Sequence, residues 1–289
     1  MARNAIDIVV NPLTPRIVAA RPAWTREFHT RKIGRAAEDV QSVTLEAMLA
    51  QMDAAGIERA FLVACKLGQE GTSGAWHMPY EWIAEAVAQY PARFSGLAGI
   101  DPTEGMRGLR NLERAVKELG FIGAHTYPHW FELPPNDRRY YPFYAKCCEL
   151  GVPIQMQVGH CLRYSEERPL QSVGRPITLD TIACHFPELK LIGIHIGWPW
   201  TEEMISVAYK HPNVYIGSDA YAPVHWSPQF VQFIDSWGSK KVIFGTDFPV
   251  IDPERARAEI EKLPIRPESK RRFLRNNVIE LYGLKLLPC

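Results

Sequence analysis

The feature that most constrains the fold is a run of short apolar segments that alternate with amphipathic ones. Eight candidate strands are present, and most are apolar throughout, as expected of parallel strands covered on both faces. Their limits are residues 5–10, 59–65, 94–100, 121–125, 152–158, 189–195, 213–218 and 241–246. Helical patterns follow them, and several end at a glycine, such as Gly56, Gly120 and Gly151. Strand, loop and helix recur in units of roughly 25 to 35 residues, which predicts an α/β fold, a (β/α)8 TIM barrel.

The domain organisation follows from the continuity of this pattern. No linker or low-complexity stretch divides the chain, so residues 1–289 are predicted to form one barrel domain rather than a doubly wound sheet with a second domain. An insert at about residues 12–41 carries prolines, arginines and aromatic residues such as Trp24 and Phe28. On a barrel this insert is expected to lie over the mouth as a lid. No glycine-rich phosphate-binding fingerprint stands between a strand and a helix.

Charge and hydropathy exclude two classes of partner. The chain has 33 basic and 32 acidic residues, so no strong field would attract nucleic acid or an anionic membrane. It shows neither a signal peptide nor an apolar run of the roughly 18 to 20 residues that span a bilayer. We therefore expect a cytoplasmic protein. The six cysteines, of which the last is Cys289, contain no zinc-ribbon spacing and are expected to be reduced and mostly buried.

The residues that end the strands are the candidates for chemistry, because barrel enzymes carry their active sites at the carboxyl ends of the strands. Polar groups stand at nearly every such position. They are Asn11, Lys66, Asp101, His125 with His129, Gln157 with His160, His195, Asp219 and Asp247. Three of them also have ordinary structural explanations: Asp101 as a turn residue, Asp219 as a helix cap and Lys66 as a solvated side chain.

His195 and Asp247 are the strongest catalytic candidates. His195 ends the apolar stretch "LKLIGIH", where an unpartnered imidazole would be costly to bury. Asp247 follows "KVIFGT" in the same way. A carboxylate and an imidazole that face each other across a barrel mouth form an acid/base pair, and burial moves their pKa values toward the working range.

These segments resemble the amidohydrolase-related family of metal-dependent hydrolases, in the branch that includes non-oxidative aromatic-acid decarboxylases. The likeness runs from "AIDIVVNP" through "YYPFYAKCCELGVPIQMQVGH" and "FPELKLIGIHIGWPW" to "KVIFGTDFPV". The resemblance implies an amidohydrolase-like barrel. It matches His195 to the family's strand-six histidine, and Asp247 to the strand-eight aspartate that is usually both a metal contact and a general base.

The sequence departs from the family pattern at the metal ligands. The strand-one H-x-H of the family falls on Val9 and Asn11, and its strand-five histidine falls on Gln157. Val9 offers no ligand atom, and the two carboxamides hold zinc poorly. His125 stands at the place of a strand-four lysine that is common in the superfamily.

The sequence therefore does not decide whether a metal binds, and it favours a metal-free site over a site that holds Zn or Mn. If a metal binds, the expected ligands are His125, His160, His195 and Asp247. Without one, Asp247 is the predicted base, His195 its partner, and His125 a further catalytic candidate. Asn11 and Gln157 would then donate amide N–H groups to a substrate oxygen.

The predicted substrate is a small carbonyl-bearing molecule, and the many aromatic residues in the predicted loops favour an aromatic acid or its derivative. Substrate contacts are expected from Asn11, Gln157, His160, Tyr127, His129 and Trp198. The first interpretation is a hydrolase that cleaves a carbon–carbon or thioester bond of an aryl β-ketoacyl compound. The alternatives are a decarboxylase of a hydroxylated aromatic acid and a non-catalytic metabolite binder. Enzymes of this outline often pair, which favours a homodimer.

Overall fold

Eight parallel strands follow one another around a single sheet in the order in which they occur in the chain. The computed structural model describes residues 4–166 and 168–285. The strands are β1 (Ala5–Val10), β2 (Ile57–Ala64), β3 (Phe94–Gly99), β4 (Gly123–Thr126), β5 (Ile154–Gln157), β6 (Leu191–Ile194), β7 (Val214–Gly217) and β8 (Val242–Ile243). All eight predicted strands are confirmed, each within a few residues of its expected limits.

The sheet closes between its first and last strands, which makes it a barrel. The backbone N–H of Ile8 donates to the carbonyl of Phe244 at 3.1 Å, and that of Asn11 donates to Phe248 at 2.8 Å. Val10 and Phe248 form a parallel bridge just beyond the end of β8. The prediction of a (β/α)8 barrel is confirmed.

Helices lie between successive strands and after the last one. Their bounds are Pro15–Ala20, Ala23–Glu27, Leu45–Ala54, Tyr80–Gln89, Met106–Lys117, Pro128–Phe131, Tyr141–Leu150, Thr178–His185, Thr201–Lys210, Pro228–Ile234, Pro253–Glu261, Pro267–Arg271 and Asn277–Tyr282. Gly151 ends the helix Tyr141–Leu150 in the left-handed conformation, with φ of 68°, as its position in the sequence predicts.

A buried aspartate joins β1 to the chain beyond β8. The carboxylate of Asp7 accepts hydrogen bonds from the backbone N–H of Thr246 at 3.0 Å and from its hydroxyl at 2.5 Å. Burial raises the pKa of Asp7 to about 7. Because Thr246 directly precedes Asp247, these bonds fix the backbone that carries a candidate catalytic group.

Two further predictions from the sequence concern the burial and pairing of the cysteines and the presence of membrane-spanning helices. The five cysteines within the described part of the chain are free, and three of them are buried, namely Cys65, Cys147 and Cys161. Cys289 lies outside the described residues. None of the described helices combines the length and the apolar character that crossing a membrane requires.

Candidate active site

A cleft opens at the carboxyl ends of the strands. Its walls are mainly aromatic and apolar, and a few polar groups converge in it, which is the usual character of a small-molecule site. The residues that line it are Asn11, Arg21, Trp24, Thr25, Phe28, His29, Cys65, Leu67, Trp76, Tyr127, Trp130, Tyr164, His195, Asp247 and Val250.

The segment that follows β1 supplies one wall of this cleft. It forms two short helices and a π-helical turn, Phe28–Lys32, and it contributes Arg21, Trp24 and Phe28 to the lining. The indole N–H of Trp24 donates to the carbonyl of Gly74 at 3.0 Å, and its ring centroid lies 4.7 Å from that of Trp130. These contacts hold the segment against the loops that follow β2 and β4.

Arg21 brings a positive charge into this mostly apolar cleft. One of its terminal nitrogens donates to the carbonyl of Pro12 at 3.1 Å. Among the described residues that line the cleft, Arg21 is the one arginine or lysine. A partly buried guanidinium with spare N–H groups is suited to a carboxylate, because the two can form paired, charge-assisted hydrogen bonds.

Three titratable side chains meet at the ends of β6, β7 and β8, and we call them the His195–Asp219–Asp247 cluster. Nε2 of His195 lies 3.3 Å from Oδ2 of Asp219 and 3.6 Å from Oδ2 of Asp247. The facing ligand atoms of all three residues lie within 4.8 Å of one another. The predicted pairing of His195 with Asp247 is therefore present, with a second carboxylate beside it.

The backbone turns sharply at these positions. His195, Ile196, Ala220 and Asp247 all have positive φ, with values of 67°, 48°, 68° and 55°. Non-glycine residues rarely adopt this conformation, which costs roughly 1–2 kcal/mol each. Such strain concentrates at functional sites, where the surrounding structure holds it in place. Here it occurs where the chain presents His195 and Asp247 to the cleft.

Hydrogen bonds orient each carboxylate of the cluster through one oxygen. Oδ1 of Asp219 accepts the backbone N–H of His195 at 3.2 Å, and Oδ1 of Asp247 accepts the amide N–H of Asn11 at 2.8 Å. The hydroxyl of Tyr127 lies 3.4 Å from Oδ1 of Asn11 and donates to it. By contrast, Oδ2 of Asp219 and Nε2 of His195 are buried and make no hydrogen bond with the described residues.

Burial controls the protonation of the cluster. It raises the pKa of Asp219 to about 7 and, together with the negative charge of Asp219, raises the pKa of Asp247 well above its usual value. It lowers the pKa of His195 to about 3, with the charges of His125 and His129 acting in the same direction. Burial therefore shifts all three groups toward their neutral forms.

Four of the predicted substrate and catalytic residues are not among the residues that line this cleft. His125 is fully buried within β4, where Nδ1 contacts Oε1 of Gln155 at 3.0 Å. His129 is also fully buried, and its Nδ1 accepts the backbone N–H of Val173 at 3.1 Å. His160 is exposed, and Trp198, 42% exposed, packs on Tyr221 with centroids 5.3 Å apart.

Asn11, Tyr127, His195 and Asp247 do line the cleft, as predicted. Gln157 lies behind His195: its amide nitrogen is 3.2 Å from Nδ1 of the imidazole and 2.9 Å from the hydroxyl of Tyr164. The structure thus places Gln157 where it can orient His195, rather than on the surface that a substrate would touch.

The predicted ligand set of His125, His160, His195 and Asp247 is not assembled, because His125 is enclosed within the barrel and His160 is exposed. The family's usual ligand positions do not fit a metal either. Val9 has no donor atom, and the amide N–H of Asn11 is directed at Oδ1 of Asp247. We therefore derive no step through a metal at those positions.

Arg21 and Tyr164 were not singled out from the sequence, whereas Asp219 was one strand-end candidate among several, with capping as its alternative role. In the structure its carboxylate contacts the backbone and ring of His195. The position of Asp219 after an apolar strand was the available signal. No comparable signal marked Arg21 or Tyr164, because both lie in long connections whose paths the apolar pattern does not fix.

Comparisons with known proteins agree with this fold. A profile described as Amidohydrolase matches residues 6–284. The chain is 35% identical over 113 residues to the 2-keto-4-carboxy-3-hexenedioate hydratase of Sphingobium sp., a match that covers 36% of this chain and only 33% of that protein. It is 23% identical over 248 residues to the gamma-resorcylate decarboxylase of Polaromonas sp., covering 71% of this chain and 74% of that protein.

A solved structure extends the likeness to nearly the whole chain. An uncharacterized TIM-barrel protein from Bordetella bronchiseptica superposes with a TM-score of 0.76 at 27% identity, covering 96% of this chain and 98% of that chain. The likeness in fold thus covers nearly the whole chain.

Proposed function

Because the chain belongs to the amidohydrolase family that its residues 6–284 match, we propose that it is a non-oxidative decarboxylase of a hydroxylated aromatic acid. The observation that carries the proposal is the arrangement of the cleft. One cation, Arg21, and a ring of aromatic side chains face the His195–Asp219–Asp247 cluster. The long match to the gamma-resorcylate decarboxylase of Polaromonas sp. supports the same reaction.

The cleft walls suit a planar ring. Trp24, Trp76 and Trp130 line it, and aromatic side chains bind planar rings by offset or tilted stacking. They also exclude water, which strengthens the electrostatic interactions inside the cleft. The insert that carries Trp24 and Arg21 serves, in this proposal, as the lid under which the substrate is held.

The reaction needs a group that binds the carboxylate and a group that supplies a proton. The ring carbon that bears the carboxylate first takes a proton from the His195–Asp219–Asp247 cluster, and a hydroxyl group next to the carboxylate helps because its oxygen stabilises the protonated, non-aromatic ring. The bond between that carbon and the carboxyl carbon then breaks, its electron pair restores the aromatic ring, and carbon dioxide leaves. Solvent restores the proton of the cluster. Asp247 is the member of the cluster that borders the cleft together with His195.

The residues around the cluster hold it in position for this step. The amide N–H of Asn11 fixes one oxygen of Asp247, and the hydroxyl of Tyr127 in turn fixes Asn11. Gln157 contacts the far nitrogen of His195. Such preorganised donors do not have to reorient during the reaction, which is a major source of rate enhancement.

Water addition or hydrolysis is a second candidate, favoured by one observation. Of the matches described above, the match to a hydratase has the highest identity, 35% over 113 residues. In that reaction Asp247 would take a proton from water rather than give one to carbon. The sequence pattern favoured a hydrolase first, but the longer match to a decarboxylase gives decarboxylation the stronger support.

The experiment is a panel of benzoates with hydroxyl groups at different ring positions, incubated with the protein in heavy water. We expect carbon dioxide release and one deuterium on the ring carbon that lost the carboxylate, from at least one 2-hydroxylated member. The matching benzoates without a hydroxyl group are the control. No release from any member, together with water addition to an unsaturated keto acid, would overturn the proposal in favour of the second candidate.

A further inference from the structure

Gln157 contacts the nitrogen of His195 that faces away from Asp219 and Asp247. We propose that Gln157 is a positioning residue that holds the ring proton of His195 on Nε2, the nitrogen nearest the two carboxyl groups. The inference deepens the proposed function and rests on it for the use of that proton. The position of the proton itself can be measured without any substrate.

The sheet brings Gln157 and His195 together. β5 and β6 are neighbouring parallel strands, and their register pairs Gln157 with Ile194, the residue before His195. The backbone N–H of Val158 donates to the carbonyl of Ile194 at 3.3 Å, which continues the pairing past the end of β5. Gln157 is buried at this position. The barrel itself therefore fixes the place from which Gln157 meets the imidazole.

The contacts of the Gln157 amide show which way it points. Its nitrogen lies 2.9 Å from the hydroxyl oxygen of Tyr164 and 3.2 Å from Nδ1 of His195. An amide nitrogen carries two N–H donors, so each of these two acceptors takes one. The amide oxygen is buried without a partner among the described residues. The opposite orientation would leave two buried N–H groups unpaired in place of one oxygen, which costs more.

An N–H group that points at Nδ1 determines the tautomer of the His195 ring. A neutral imidazole carries one proton, and the nitrogen that accepts a hydrogen bond is not the one that bears it. Because Gln157 donates to Nδ1, the proton lies on Nε2. Burial lowers the pKa of His195 to about 3, so the ring is neutral at neutral pH and this assignment applies to it.

A proton on Nε2 of His195 faces the two carboxyl groups of the cluster. Nε2 lies 3.3 Å from Oδ2 of Asp219 and 3.6 Å from Oδ2 of Asp247. Within the described chain, neither Nε2 nor Oδ2 of Asp219 makes a hydrogen bond with another group. With the proton on Nδ1 instead, three acceptors would face one another whenever both carboxyl groups are ionised. The Nε2 tautomer therefore gives the carboxyl oxygens a donor.

In the proposed reaction this donor acts when the proton leaves the cluster. The protonated carboxyl group of Asp247 gives its proton to the ring carbon, the π electrons of the ring form the new C–H bond, and the O–H electron pair stays on the carboxylate. The Nε2–H group of His195 then donates to that carboxylate, and the imidazole stays neutral throughout. Solvent returns the proton to Asp247. A donor that is already in place stabilises the developing charge without reorientation.

The test locates the ring proton of His195 by nuclear magnetic resonance in the absence of substrate. Protein with isotope-labelled histidine nitrogens is measured at neutral pH, and His195→Gln identifies the signals of His195. In the wild type we expect Nε2 with a proton and Nδ1 without one. Gln157→Glu keeps the side-chain shape but places an acceptor at Nδ1, so Nδ1 should become protonated. Gln157→Met removes the donor without adding a charge, and both tautomers should then be populated.

A kinetic measurement follows the consequence for the reaction. Gln157→Glu should lower kcat for carbon dioxide release roughly 100-fold, as loss of one preorganised donor predicts. KM should stay nearly unchanged, because Gln157 is not among the residues that line the cleft. Expected spectra without carbon dioxide release from any benzoate would overturn the proposed reaction and leave the position of the proton established.

Gln229→Glu is the matched control, because it makes the same chemical change at an exposed position of the helix Pro228–Ile234. The signals of His195 in this variant should equal those of the wild type. Circular dichroism shows whether each variant is folded, and Gln157→Met serves if Gln157→Glu is not. The proposal is overturned if Nδ1 carries the proton in the wild type, or if the folded Gln157 variants keep the proton on Nε2 as the wild type does.

Discussion

The amide nitrogen of Asn11 lies 2.8 Å from Oδ1 of Asp247 and donates a hydrogen bond to it across the closing seam of the barrel. The side chain that follows β1 thus orients the carboxylate that follows β8. The other oxygen of Asp247 remains directed toward His195, at 3.6 Å from Nε2.

Replacement of Asn11 by leucine should therefore impair catalysis without unfolding the protein. The variant has nearly the same side-chain size but leaves Oδ1 of Asp247 without its donor. A buried acceptor that loses its donor costs about 1–3 kcal/mol, so kcat/KM should fall roughly 10–100-fold. Asn111→Leu, on the helix Met106–Lys117 outside the cleft, is the control. Equal activity of the two variants would show that the contact of Asn11 with Asp247 is irrelevant to catalysis.

Arg21 should determine the affinity for the substrate carboxylate. Arg21→Gln removes the charge that faces the cleft, and KM for an aromatic acid should rise about 10–100-fold, as loss of a charge-assisted pair predicts. Arg26→Gln makes the same change at an exposed position of the same insert. Substrate binding can be followed by quenching of tryptophan fluorescence, since Trp24, Trp76 and Trp130 line the cleft. If both variants bind the acid as the wild type does, Arg21 is not the carboxylate site.

Lys66 should matter for stability. The sequence suggested a solvated lysine, but its ammonium group lies 2.6 Å from Oε2 of Glu104, and the two side chains are only 8% and 5% exposed. Lys66→Met leaves the buried carboxylate of Glu104 without its closest partner and should destabilise the fold by about 3–5 kcal/mol. Chemical denaturation measures this free energy.

The control for Lys66 is Lys117→Met, which breaks the pair with Glu113, where the side chains are 58% and 35% exposed. Exposed pairs contribute about 0–1 kcal/mol, so this variant should be close to wild type. Similar free energies of unfolding for Lys66→Met and Lys117→Met would mean that burial of the Lys66–Glu104 pair has no consequence for stability.

The barrel could be predicted from the sequence because its signal is local. A stretch such as "AIDIVV" is apolar throughout, and β1 forms over the same residues, Ala5–Val10. Glycines such as Gly151 mark helix ends because they adopt positive φ without steric cost. A few neighbouring residues determine each of these features. The pattern of apolar residues and the positions of glycines were therefore sufficient to predict the strands and the helix ends.

The site could be predicted only in part, because its contacts join distant residues. His195 and Asp247 follow apolar strands and were recognised for that reason. The position of Asp219 in the sequence is equally consistent with a capping role. The fold shows that the backbone N–H of His195, which is 24 residues away, donates to its carboxylate. His129 and His160 lie in connections whose paths depend on tertiary packing, so spacing alone could not show that one is enclosed and the other exposed.

In the proposed reaction the cluster at the ends of β6–β8 supplies the proton for decarboxylation, and Asp247→Asn tests this role most directly. Carbon dioxide release from a 2-hydroxylated benzoate should be measured for the wild type, for this variant and for Glu254→Gln, which makes the same chemical change at an exposed position. We predict release by the wild type and by Glu254→Gln at equal rates, and at least a roughly 100-fold lower rate for Asp247→Asn. Equal rates for all three proteins would contradict the account.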